Sequence, residues 1–151
     1  MHLKRLMKRN VTVVAPDTSL PEAARRMAVH HLNALPVCDG AKIVGLLTAR
    51  DITVRATAQG RDPRRSQVRD VMMAPAVYGK EDQEDEEAAR LMQHWRLPML
   101  PVVDHSLRLV GIVSLRDLLG QSVGRHRSRR GHGAKGRDRL HPTRRQQSDV
   151  P

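Results

Sequence analysis

The octapeptide GLLTARDI at Gly45–Ile52 recurs as GIVSLRDL at Gly111–Leu118. It is one of four matching blocks. A shift of 65 residues lays Leu3–Met7 (LKRLM) on Val68–Met72 (VRDVM), Pro21–Met27 (PEAARRM) on Glu86–Met92 (EEAARLM), and Leu35–Asp39 (LPVCD) on Leu100–Asp104 (LPVVD). One inserted residue in the next turn makes the shift 66 and aligns the two octapeptides. Four blocks in the same order describe one unit written twice. A single unit of about 60 residues hides only ~60% of its unfolded surface. Two units packed through their sheets share one core, and the reading predicts pseudo-two-fold symmetry between them.

Each copy reads as β-α-β-β-α, giving an α/β (α+β) fold. VTVVAPDTS starts as a β-branched strand and breaks at Pro16–Ser19. Ser19 is placed to cap a helix over Leu20–His31, with Pro21 and Glu22 in its first turn. Leu20, Ala23, Ala24, Met27 and His31 form its expected apolar stripe. ALPVCD and KIVGLLT then make a hairpin about the turn DGA, and a helix runs from Ala49 to about Ala58. The second copy gives a strand at Ala76–Tyr78, a helix at Asp85–His94, strands at Leu100–Val103 and Leu107–Ser114, and a helix at Leu115–Gln121. The expected boundaries are 1–60 for the first repeat, 61–67 for a linker, 68–121 for the second repeat and 122–151 for a tail. AQGRDPRRSQ (Ala58–Gln67), with Gly60, Pro63 and three Arg, connects the repeats.

The chain has 151 residues and a formal charge of +11, unevenly spread. Gly120–Pro151 holds nine Lys and Arg against two Asp, leaving +4 for the preceding residues. This tail is nearly devoid of apolar residues and is expected to be disordered and basic. Without aromatic residues it could bind RNA, DNA or an anionic membrane surface only non-specifically. With no Phe, one Tyr and one Trp, the core must be aliphatic. The one cysteine, Cys38, excludes an internal disulfide and a Cys-based zinc site. No apolar run approaches the ~18 residues of a membrane span, and the short, charged N-terminus does not read as a secretory signal, so the expected location is cytoplasmic.

The doubled Thr48-Ala49-Arg50-Asp51 and Ser114-Leu115-Arg116-Asp117 admit two readings. A hydroxyl ending a strand and a carboxylate three residues on make a capping box, which satisfies free backbone N–H groups. The same geometry suits a ribose phosphate: N–H groups and hydroxyl for phosphate, a carboxylate for the ribose diol, and Arg50 or Arg116 for charge.

Together with LPV-[CV]-D, the APDTSLPEA turn-helix start and the x-V-G-(L/I)-(L/V)-(T/S)-x-R-D strand end, the pattern resembles the cystathionine-β-synthase (CBS) domain. Two in tandem are similar to a CBS pair, or Bateman module, over about Leu3–Gln121. The resemblance implies two composite clefts for adenosine-containing ligands: AMP, ADP, ATP, NAD or S-adenosylmethionine. It groups Ser114, Arg116 and Asp117 with Asn10, Val11, Thr12, Asn33 and Ala34 in one cleft. It groups Thr48, Arg50 and Asp51 with Ala76, Val77, Pro98 and Met99 in the other. Because Pro98 lacks an N–H, and AVYGKEDQED departs from the first copy's pattern, tighter binding is expected at Ser114 and Asp117. A carboxylate facing the ribose also disfavours the 2′-phosphate of NADP.

No nucleophile–base pair, metal cluster or phosphate-binding glycine loop is evident, so the expectation is a non-enzyme with no required cofactor and an adenosine nucleotide as regulatory ligand. It would act as a homodimer and signal to an effector on another chain. The alternative is a nucleic-acid-associated basic protein that uses the pair only to dimerise. The acidic run Glu81–Glu87 reads as a solvated helix start, and His30, His31 and His94 lack metal spacing. Trp95 reads as an edge-of-core or dimer residue. Tyr78 fits an adenine wall or the core.

Overall fold

The computed structural model describes residues 1–120. The disorder expected of 122–151 concerns residues outside that range. The order is a 3-10 turn at Leu3–Arg5, α1 (Leu20–His30), β1 (Ala34–Asp39), β2 (Lys42–Thr48), α2 (Ala49–Asp51), a π-helical turn at Ile52–Thr57, a 3-10 turn at Pro63–Arg65, α3 (Val68–Val71), β3 (Gly79–Lys80), α4 (Asp85–Trp95), β4 (Met99–Val103) and β5 (Leu109–Ser114). Residues 115–120 are helical.

The local chemistry of the helices is clear. Ser19 Oγ accepts from Glu22 N at 3.3 Å and caps α1. Both long helices end on a left-handed residue, His31 (φ 53°) and Arg96 (φ 52°), at equivalent positions of the repeat. The next residue in each case donates back into the last turn, Leu32 N to Met27 O and Leu97 N to Met92 O, both at 2.9 Å. Leu20, Ala23 and Met27 are buried, but Ala24 and His31 are exposed. The buried stripe of α1 is therefore narrower than the sequence pattern suggested, because only the i, i+3, i+7 edge meets the sheet.

Each hairpin pairs as expected, with β1 antiparallel to β2 and β4 antiparallel to β5. The first strand of the first repeat is much shorter than its β-branched sequence suggests, and that of the second lies just past its expected position. In the first repeat it is one parallel bridge, Val14 to Val37, with Val14 N donating to Pro36 O at 3.1 Å and Cys38 N donating to Val14 O at 2.9 Å. In the second it is Gly79–Lys80 alone, parallel to β4, so Ala76–Tyr78 is not the strand. Proline is the physical reason. Extending either ladder toward the N-terminus requires an N–H at Pro36 or Pro101, and neither has one.

The repeats are related by exchanged contacts. Lys8 bridges to Ile112 in β5, and Met73 bridges to Leu46 in β2. These pairs are equivalent under the 65- and 66-residue shifts. Lys42 bridges to Arg108, its own counterpart, so this contact marks the pseudo-two-fold axis. The exchange extends to the core. Leu3 and Met7 pack with Ala88, Met92, Leu100 and Val113 of the second repeat. Val68 and Val71 pack with Leu20, Val37 and Leu47 of the first. Leu3 is fully buried, a contribution of ~1.5–3 kcal/mol from a residue near the start of the chain.

Candidate functional site

β5 ends at Ser114, and the capping geometry is fully formed there. Ser114 N donates to Asp117 Oδ2 at 2.9 Å, Ser114 Oγ donates to the same oxygen at 2.8 Å, and Asp117 N donates to Ser114 Oγ at 3.2 Å. Thr48 and Asp51 repeat the arrangement, with Thr48 N to Asp51 Oδ2 at 2.9 Å and Asp51 N to Thr48 Oγ1 at 3.0 Å. The two copies differ in exposure. Thr48 and Asp51 are each 9% exposed, whereas Ser114 and Asp117 are half-buried. Asp51 also has Arg55 Nε 3.9 Å from Oδ1, while both bonds to the Asp117 carboxylate fall on Oδ2.

A narrow cavity of about 160 Å³ opens beside Ser114 and Asp117. Asn33 and Ala34, the pair before β1, reach it from the other repeat. Pro98 and Met99, expected in the opposite cleft, line it too. Strand register explains this, because Met99 is the Cα partner of Ser114. Lys8 and Ile112, bridged to each other, form another wall, and His31 and Leu32 at the end of α1 complete it. Sequence reasoning did not point to these four. The only signal for His31 was its match to Arg96 across the period, and Lys8 matches Met73 in the same way.

The remaining expected residues lie elsewhere. Asn10, Val11 and Thr12 belong to an extended strap between the Lys8 and Val14 bridges and are outside this cavity's lining. Val11 instead lines a separate cavity of about 240 Å³ with Arg9, Val13 and Cys38. Arg116 and Arg50 are exposed, and Ala76 and Val77 are half-buried. Ala34 is the Cα partner of Thr48, and Ala49 N donates to Asn33 O at 2.8 Å, so Asn33 and Ala34 sit beside Thr48 within their own repeat.

Among the described residues no group of three His, Cys, Asp or Glu side chains comes together to hold a metal, and no helix is long and apolar enough to cross a membrane. His94 packs edge-on against Trp95, with ring centroids 5.2 Å apart.

The CBS domain family model matches residues 3–56 and 68–124. The chain belongs to the CBS domain family. Its two CBS repeats correspond to the two halves described above. The CBS domain-containing protein YhcV of Bacillus subtilis is 40% identical over 116 residues, covering 77% of this chain and 81% of YhcV. A solved CBS-domain protein from Burkholderia ambifaria superposes with a TM-score of 0.75 at 28% identity, covering 82% of this chain and 95% of that one. The CBS domain pair of protein MJ0100, solved with 5′-methylthioadenosine and S-adenosyl-L-methionine, superposes with a TM-score of 0.73 at 28% identity, covering 83% of this chain and 98% of that one.

Proposed function

We propose that this CBS pair is a non-catalytic regulatory module that binds an adenosine-containing ligand between its repeats. AMP, ADP, ATP, NAD and S-adenosylmethionine are the candidates. The observation that carries the reading is the cavity in which Ser114 and Asp117 of one repeat meet Asn33 and Ala34 of the other. Asp117 caps its helix through Oδ2, and its Oδ1 accepts from the ribose hydroxyls. The adenosine ligands of MJ0100 support the ligand class. Thr48 and Asp51, more deeply buried and with Arg55 close by, form the weaker second site with Ala76 and Val77.

The cavity is smaller than the ~300 Å³ at the low end of ligand pockets. Its walls must part to admit a nucleotide. Those walls come from both repeats, so a ligand that prefers the parted arrangement shifts the population toward it. That shift is the signal passed to an effector chain. A homodimer is part of the proposal. A groove of about 580 Å³ between α1 and α2, lined by Ala24, Ala28 and Ile52, lies on the same side as the exposed Ala24–His31 face and would be covered by a second copy.

Thermal-shift screening of AMP, ATP, NAD, S-adenosylmethionine and NADP tests the reading. At least one of the first four should raise the melting temperature of the wild type, and NADP should not. The ligand-induced increment should be lost in Asp117→Ala. Equal increments in both proteins overturn the assignment of that carboxylate.

A further inference from the structure

The strap between the Lys8 and Val14 bridges walls two cavities. Lys8 belongs to the narrow one described above; Arg9, Val11 and Val13 belong to the other. This second cavity, about 240 Å³, lies toward the hairpin turns, where Gly40 and Ala41 of the first repeat meet Leu109 and Val110 of the second. Leu109 N donates to Ala41 O at 3.0 Å and joins the two sides. Val11, Val13, Leu109 and Val110 give the walls an aliphatic part, and polar atoms make up nearly as much of the lining. Cys38, 7% exposed, adds a thiol whose burial pushes its pKa up, so it presents a neutral surface at physiological pH.

Arg9 is the one charged residue among the described residues of the lining. Lys42 and Arg108 bridge to each other beside Ala41 and Leu109. Among the described residues none of these three cations enters an ion pair. Asp39, at the end of β1, and Asp104, just after β4, flank the two hairpin turns. Asp104 Oδ1 accepts from Ser106 N at 2.8 Å and Arg108 N at 3.0 Å, and Asp39 is the strand partner of Lys42. Four aliphatic side chains and one guanidinium in the same lining fit a small molecule with an aliphatic body and one anionic end.

We infer that this cavity is a second binding site, for a short-chain aliphatic carboxylate, with Arg9 gripping the carboxylate and Val11, Val13, Leu109 and Val110 enclosing the chain. The volume equals roughly eight waters at ~30 Å³ each, enough for hexanoate. The planar guanidinium can hold both carboxylate oxygens at once. The inference stands on this cavity alone and not on nucleotide binding, so each can fail without the other.

Methyl NMR on the full chain, titrated with hexanoate in the absence of nucleotide, tests it. Saturable shifts are expected at Val11, Val13, Leu109 and Val110, and hexylamine, with the opposite charge, should produce none. Arg9→Gln should weaken hexanoate binding about tenfold, the effect of losing a charge-assisted hydrogen bond. Ala41→Leu, at a lining residue, should abolish binding by filling the cavity. Arg9 and Ala41 are both exposed, so both variants should melt like the wild type; if Ala41→Leu does not, Arg9→Gln decides alone. Absence of saturable shifts, equal shifts with hexylamine, or unchanged affinity in Arg9→Gln overturns the site.

Discussion

A methyl group added to Gly45 would lie 2.8 Å from Met72 Sδ and 2.9 Å from Met73 O; at Gly111 it would lie 2.6 Å from Met7 Sδ and 3.0 Å from Lys8 O. The glycine that opens each octapeptide is thus the place where the exchanged segment of the other repeat crosses the strand. Gly45→Ala and Gly111→Ala should each destabilise by ~1–3 kcal/mol through overpacking, read as a lower urea midpoint. The carboxylates should separate by burial. Asp51→Ala leaves the buried Thr48 N–H without its acceptor and should cost ~1–3 kcal/mol, whereas the half-buried Asp117→Ala should cost about 1 kcal/mol as a lost cap. Equal losses would contradict the asymmetry between the copies. Cys38 adds a pH dependence. Burial raises its thiol pKa, so above ~8.5 the unfolded thiol ionises while the folded one keeps its proton. The unfolded state then binds fewer protons, and stability falls as pH rises. Between pH 8 and 10 the urea midpoint of the wild type should fall more than that of Cys38→Ala.

At the scale of elements, the sequence was most legible where local chemistry decides the outcome. The Ser19 cap, the two hairpins and the two capping boxes follow from residues within a few positions of one another. The first strands did not follow, because VTVVA has β-branched character but its ladder depends on a proline some 20 residues away. Nor could the period reveal that LKRLM and VRDVM pack on the opposite repeat, since sequence repetition fixes similarity and not partnership. The site was partly legible for the same reason. The Ser114–Asp117 motif and the Asn33–Ala34 pair share a cavity, but register draws Pro98 and Met99 into it, and the strap turns Val11 toward the other cavity. The exchange predicts that Leu3→Ala should destabilise by ~2–5 kcal/mol, as for a core leucine, with the loss of amide-exchange protection centred on α4 and β4 and not on the first repeat. A change of a few tenths of a kcal/mol, normal for a terminal residue, would contradict the packing.

For the whole molecule, duplication does two things. It supplies the second lobe that a small unit needs to bury its sheet, and it creates a seam whose walls belong to different repeats. Divergence then makes the two sides of the seam unequal. One hydroxyl–carboxylate pair is half-buried beside a cavity, and the other is buried with Arg55 close by. The separation of the exchanged segments from their own repeats also means that neither half should fold alone. Isothermal titration calorimetry of the ligand that emerges from the thermal screen, carried out on the wild type and Asp117→Ala, tests the central claim most directly. One high-affinity site per chain that vanishes in the variant is the predicted result; two equal sites, or a site that survives Asp117→Ala unchanged, would contradict it.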